Sequence, residues 1–548
     1  MSNKIKVNLS DKYRVLLTEV LPYELPLWFT NFNFYKICKD ENKIQKYRVF
    51  SGQFEKKSVF IPLDYRISRG DSLSARQLSI MHPLAQIKVC DFYEKYDELI
   101  KYYCSKSNHS LRYPYRKSRQ FYGKTEIASK VNLNLEIDGY ESKVSSSYFK
   151  YKTFAFLYKF FENYEHHKLE KRFSFMLQVD IAKCFPSIYT HSLGWATKSK
   201  RQVKEDLKKS KGSFDAEFDS LMQMTNYKET NGIIVGPEIS RIFAEIILQR
   251  IDLNIVSEMD VLKHIEGKDY QFKRYVDDYF VFYNSKDVQK DFFKSLEKSL
   301  LEYKLYLNEA KTEEFKRPFV TNISLAKHSL RNSLRDFYSK RYRIIDDQGE
   351  QASSTEIIEC RSASRMANKA IAEIKFSFSN YNVSYQSVSN YLMSSISKNI
   401  NKYVEILKKV EIENVDMGKI NWLLVDLDIL FFIHAMDIRV RPTDRMAKII
   451  VGLINEVGFI PEGFKKLIFQ KIFDQVRLSI NLVSAEPKNI NGVETLNLLL
   501  ILTRLPTDYL LPSDILRKYY SSICSSKEIS QESGLYFVWI TGSSHLRV

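Results

Sequence analysis

Arg274-Tyr275-Val276-Asp277-Asp278-Tyr279-Phe280-Val281-Phe282-Tyr283 sets two adjacent carboxylates between runs of β-branched and aromatic residues. Such flanks favour extended strands, and the polar pair between them favours a tight turn. The pattern predicts a hairpin with Asp277 and Asp278 at its tip. Neighbouring carboxylates repel, so a fold that holds them together gains from a bound cation. Oxygen donors suit Mg²⁺, with Mn²⁺ as the alternative, and such ions serve phosphoryl and nucleotidyl transfer. Taken alone, the stretch also fits an ordinary Asp-Asp turn, and the residues around it have to decide.

Upstream, Phe173–Val179 reads as a buried strand ending at Asp180, followed by a half-helical turn, Ile181-Ala182-Lys183-Cys184-Phe185. Two-metal nucleotidyl transfer needs carboxylates from separate strands meeting at one sheet edge, with ions about 4 Å apart. Asp180 at a strand end and Asp277 with Asp278 at a hairpin tip satisfy that demand. The ring of Phe185 either packs beneath the sugar of an incoming nucleotide, excluding a 2′-hydroxyl, or is ordinary core. Gly232–Asp252 is the clearest helix, with Pro237 in its first turn and Ile239, Ile242, Phe243, Ile246 and Ile247 on one face. Leu307–Thr312 reads as a turn leading into a strand.

Four of these stretches together resemble a known family. Asp180-Ile-Ala-Lys-Cys-Phe185, Gly232-Ile-Ile-Val-Gly-Pro-Glu-Ile-Ser240, Tyr275-Val-Asp-Asp278 and Leu307-Asn-Glu-Ala-Lys311 are similar to reverse-transcriptase motifs A to D, in that order. The resemblance implies metal binding by Asp180, Asp277 and Asp278 and by the backbone carbonyl of Ile181. It also implies nucleotide contacts at Phe185, Gly236, Ser240 and Tyr275, from substrates that are dNTPs. Lys311 matches the motif D lysine that protonates departing pyrophosphate; an ordinary surface lysine is the other reading.

Motif B departs from the usual pattern. Ile234-Val235-Gly236 stands where templated enzymes carry Pro-Gln-Gly, and Val235 has no polar group to offer near an incoming nucleotide. Ser187-Ile-Tyr-Thr-His-Ser-Leu-Gly-Trp-Ala196 and Val235-Gly-Pro-Glu-Ile-Ser240 resemble the abortive-infection (AbiK-like, prophage-type) reverse transcriptases of bacterial antiphage defence. That group implies template-independent, protein-primed DNA synthesis, with single-stranded product covalently attached and a homo-oligomer such as a trimer or hexamer. A conventional RNA-templated reverse transcriptase shares the same catalytic residues and is the alternative. A non-enzymatic scaffold fits poorly with a full carboxylate set.

The fold class expected is α+β: reverse-transcriptase fingers and palm without a recognisable thumb, then an all-α HEAT-like domain. The boundaries expected are 1–170 for the N-terminal region and fingers, 171–325 for the palm and 326–548 for the helical part. Asp346–Thr355 is a polar link near the last of these. Ile420–Met436, Arg445–Val457, Gly463–Leu478 and Val493–Leu505 read as helices, with Pro442, Pro461, Pro506 and Pro512 between them. Ala85–Cys104 and the aromatic-rich Tyr148–Tyr164 read as helices too, and Lys198–Lys211 as an exposed basic one.

The chain of 548 residues is 44% hydrophobic and carries a formal charge of +17, which favours a polyanionic partner. Lys101–Lys130 holds eight Lys or Arg against the single acid Glu126, interleaved with tyrosines. It reads either as a surface for phosphates and bases or as a solvated face. The six cysteines are scattered, with no paired spacing and no histidine cluster beside them, so neither zinc nor a disulfide framework is expected. No long apolar run follows Met1, and Trp422–Met436 is interrupted by Asp426 and Asp428. The expectation is a cytoplasmic protein without membrane association.

Overall fold

The computed structural model describes residues 3–27, 29–40, 59–69, 75–123, 147–154, 156–205, 212–345, 354–484 and 492–513. A four-stranded antiparallel sheet organises the middle of the chain. Its strands lie in the order Leu307–Lys316, Phe175–Ile181, Asp278–Tyr283, Tyr270–Tyr275. The last two form the expected hairpin, paired from Tyr270 opposite Tyr283 to Tyr275 opposite Asp278. The central strands alternate burial or are buried throughout, as strands covered on both faces do. Helices Glu238–Val261 and Lys286–Glu302 cover one face, burying Ile242, Phe243, Ile246, Phe292 and Leu296 with Leu177, Val179 and Val281. Phe280, Phe282 and Met176 face the other side, in a smaller aromatic cluster with Phe160, Phe173 and Phe319.

The long helix starts later than its sequence suggests. Residues from Gly232 to Gly236 form a loop, Pro237 is the cap, and the helix runs Glu238–Val261. Pro at that point has no N–H to leave unsatisfied. The Tyr148–Tyr164 expectation is corrected more deeply. Phe149–Thr153 is a strand, antiparallel to Arg112–Lys117, and only Leu157–Phe161 is helical. Its aromatic residues satisfy strand alternation as readily as a helical stripe, and pairing with a partner strand decided between them. Leu307–Thr312, expected as a turn leading into a strand, lies wholly inside the strand Leu307–Lys316, whose register breaks between Asn308 and Glu313.

Ahead of the sheet, the antiparallel pair Leu63–Ser68 and Ala75–Ile80 forms a hairpin, and Pro83–Cys104 is one helix. Within Lys101–Lys130 several basic groups are engaged internally. Lys101 pairs with Glu98, Arg112 with the buried Glu238 at 2.7 Å, and Lys117 with Asp97. Side chains from 121 to 130 lie outside the described residues. In the Lys198–Lys211 stretch, Lys200–Glu205 is a helix with no buried residue, and 206–211 lie outside the described residues.

Helix Asn322–Ser339 runs across the expected boundary at 326. The helical part continues through Ala363–Tyr381, Tyr385–Leu407, Met417–Met436, Val440–Glu456, Glu462–Ser484 and Val493–Leu502. Each of Ala363–Tyr381, Tyr385–Leu407, Met417–Met436 and Val440–Glu456 packs on the next helix but one, which builds a stacked array around its own core. Of the expected polar link, 346–353 lie outside the described residues, while Ser354–Ile357 pairs as a strand with Tyr342–Ile345. Asp426, which interrupts the most apolar helix, is fully buried against Arg341, with Nη1–Oδ2 and Nη2–Oδ1 contacts of 2.8 and 2.6 Å. Among the described residues no helix is long and apolar enough to cross a membrane.

The helical array is anchored to the front of the chain. Val440 and Val493 join Tyr65, Ile67, Leu78 and Ile80 in one apolar cluster. Arg441 Nη2 bonds Glu24 Oε1 at 2.6 Å, and the Leu27 N–H donates to Asn497 Oδ1 at 2.9 Å.

Candidate active site

Asp180 and Asp278 face each other across paired strands, Asp180 opposite Asp278 in the register. Opposed residues in antiparallel strands hold their Cα atoms roughly 4.5–5.5 Å apart. Asp277 occupies the turn next to Asp278. The preceding Val276 has φ of 58°, a conformation that costs a β-branched residue energy and that the fold must hold in place.

Arg274 holds it. Its guanidinium is fully buried, donates to the Val276 carbonyl at 2.9 Å, and is paired with Glu245 at 2.8 Å and Asp252 at 2.8 Å from the long helix. Tyr279 donates to Asp252 as well, at 3.1 Å. Sequence reasoning missed this group, although Arg274 opens the hairpin and Glu245 and Asp252 recur at helical spacing.

The carboxylates sense one another. Burial first, and then Asp277 and Asp180, push the Asp278 carboxyl up to about 7. Asp277 is raised too, mainly by burial and also by Asp180, while Lys311 and Arg76 oppose the rise. A cation beside Asp277 and Asp278 would favour their ionised forms. The donor set is all oxygen and so fits Mg²⁺ or Mn²⁺.

Lys311 reaches in from the register break. The unpaired residues between Asn308 and Glu313 bow out of the strand, and Lys311 Nζ bonds Asp180 Oδ2 at 2.9 Å. Asn308 Nδ2 donates to the same oxygen at 3.2 Å, a contact not anticipated from sequence. Ile181 is 1% exposed and belongs to the main apolar core. Phe185 is half-buried, and its carbonyl accepts the Ile233 N–H at 3.0 Å, joining the segment after Asp180 to the Gly232–Gly236 loop.

That loop is fitted closely. Gly236 has φ of +127°, and a Cβ there would lie 2.6 Å from Pro22 Cγ. Val235 packs against the Leu63–Ile80 hairpin, where its carbonyl accepts the Ser79 N–H at 3.0 Å. Ser240 has no exposed surface, and its hydroxyl has no partner. Tyr275 is half-buried against the smaller aromatic cluster, and burial raises its phenol. The exposed His191 bonds Asp219 at 2.6 Å, and the buried Trp195 packs against Tyr189 and Tyr303.

A family model described as "Reverse transcriptase (RNA-dependent DNA polymerase)" matches residues 134–331, which contain the sheet and all three aspartates. A reverse transcriptase domain is thus present over that stretch of the chain. Comparison with curated proteins finds no match. Among solved structures, apo telomerase from Candida tropicalis truncated from its C-terminal domain is 15% identical, with a TM-score of 0.30. The match covers 53% of this chain and 56% of that one. Telomerase from Candida albicans, solved with a fragment of telomeric RNA, is 11% identical over 93% of this chain and 74% of that one, with a TM-score of 0.31. At these TM-scores no reading of this chain follows from the likeness.

Proposed function

We propose that this chain is an antiphage DNA polymerase of the abortive-infection type, polymerising dNTPs without a template from a protein hydroxyl. The observation that carries the polymerase half is the meeting of Asp180, Asp277 and Asp278 at one sheet edge. Divalent ions held by these carboxylates and the Ile181 carbonyl supply, when bound, stabilisation of the charge that develops on the phosphates. A hydroxyl, first a side chain's and then the growing 3′ end, attacks the α-phosphate in line as pyrophosphate leaves. Lys311 protonates the leaving group; its ammonium beside Asp180 supports that role. Phe185 lies beneath the sugar and excludes a 2′-hydroxyl, while Gly236 and Tyr275 border the nucleotide.

Val235 supports the untemplated half. Its side chain is spent in an apolar cluster with the fingers hairpin, leaving no polar group to read a base pair. The helical array supports a HEAT-like domain, and a homo-oligomer and a covalently attached single-stranded product complete the reading. Purified protein given labelled dNTPs and Mg²⁺ without nucleic acid tests it. Synthesis, with a nucleotide adduct on the intact chain by mass spectrometry, is expected, and Asp277→Ala abolishes it without unfolding the protein. Product that forms only when RNA is added makes the chain a conventional templated reverse transcriptase instead.

A further inference from the structure

Helix Tyr164–Arg172 gathers two imidazoles and a carboxylate that polymerisation leaves unused. One ring nitrogen of His166, one of His167 and a carboxylate oxygen of Glu170 all lie within 4.8 Å of one another, the only such group among the described residues. Glu170 is one helical turn beyond the histidines, the spacing that stacks side chains on one surface.

His166 is 2% exposed, its ring walled by Phe160, Phe161, Phe282 and Phe319, and its Nε2 has no hydrogen-bond partner. A buried ring nitrogen left unpaired is destabilising, and an ion satisfies it as a hydrogen bond would. The Glu170 carboxylate is already oriented, since its Oε1 accepts the Phe319 N–H at 2.9 Å, leaving the other oxygen for a ligand. Such outer contacts are how proteins fix ligating groups.

We propose that His166, His167 and Glu170 bind one divalent ion of the Zn²⁺ class, at a site separate from the catalytic carboxylates. Imidazole with carboxylate suits Zn²⁺, Co²⁺ or Ni²⁺ and not Mg²⁺, which takes oxygen ligands. Three protein ligands leave the remaining positions to water. The helix leads directly into the strand that ends at Asp180, and Glu170 also meets the segment that follows the Leu307–Lys316 strand. The ion therefore pins the far ends of the two strands that carry Asp180 and Lys311. Such a site departs from the expectation of no zinc, which rests on the cysteine spacing and the lack of histidines beside the cysteines.

The test incubates metal-free full-length protein with Zn²⁺ under saturating Mg²⁺, removes free ions and measures what stays by elemental analysis. A single Zn²⁺ per chain is expected, with a higher melting temperature. His167→Ala, at an exposed residue, and Glu170→Gln are each expected to weaken retention ~10-fold or more, while Asp277→Asn leaves it unchanged. No retained Zn²⁺, retention unaltered in both ligand variants, or retention lost in Asp277→Asn overturns the site.

Discussion

Arg274 reaches around its own turn to bond the carbonyl of Val276, the residue that presents Asp277. Because Glu245 and Asp252 hold the other faces of the guanidinium, the hairpin tip is fixed to the long helix and not to solvent. Lysine keeps the charge but loses the fork that makes all these bonds at once. Arg274→Lys should lower the rate of dNTP incorporation by ~100-fold, the effect of about 1 Å of misplacement. The dNTP KM should change far less, and steady-state kinetics of the folded variant separates the two.

The Asp278 carboxyl gives a pH dependence with a definite sign. Its pKa in the fold, about 7, is above the free value of 3.8. Without metal, its contribution to stability is full below the free value and is lost as pH rises through about 7. Metal binding needs the ionised form, so Mg²⁺ affinity and synthesis should both rise through that same range. Melting temperatures with Mg²⁺ and with chelator should diverge as pH rises, and Asp278→Asn should abolish the divergence. A Mg²⁺ effect that is flat in pH would count against the assignment.

Gly236→Ala should impair the loop before the long helix for two separate reasons. The added methyl meets the Pro22 ring at 2.6 Å, and φ of +127° strains any L side chain. The backbone term alone is about 1–3 kcal/mol. Pairing the change with Pro22→Gly should recover the steric part only, so melting temperature should return partway in the double variant.

In the helical array, Asp426→Asn should destabilise the protein by about 3–5 kcal/mol, because it strands a fully buried Arg341. Tyr338 also donates to Asp426, and the Trp422 ring lies 4.7 Å from the guanidinium carbon. Denaturant unfolding of the full chain measures the loss. Replacing both partners with apolar residues of similar size should cost less than Asp426→Asn alone.

The parts of this site that sequence made legible are those built from local chemistry. Asp180, Asp277 and Asp278 announce themselves because a strand end and a hairpin tip are short-range patterns, and ion binding demands those oxygens. Arg274 and Asn308 were within the quoted stretches, yet their partners lie 29 and 128 residues away, and no spacing rule links them. The His166 group was hidden by a search centred on cysteine. Phe149–Thr153 was misread because alternation and helical spacing coincide over a few aromatics, and only the strand Arg112–Lys117 breaks the tie. Asp426 looked like an interruption of a greasy helix until Arg341, 85 residues earlier, supplied its counter-charge.

Val440 and Val493 close over Tyr65, Ile67, Leu78 and Ile80, and Arg441 grips Glu24, two residues after the Pro22 that abuts Gly236. A fragment cut away before the helices would bare that greasy seam on the hairpin against which Val235 packs. The helices thus shield an apolar surface that the front of the chain leaves open, and cutting between them exposes it to water.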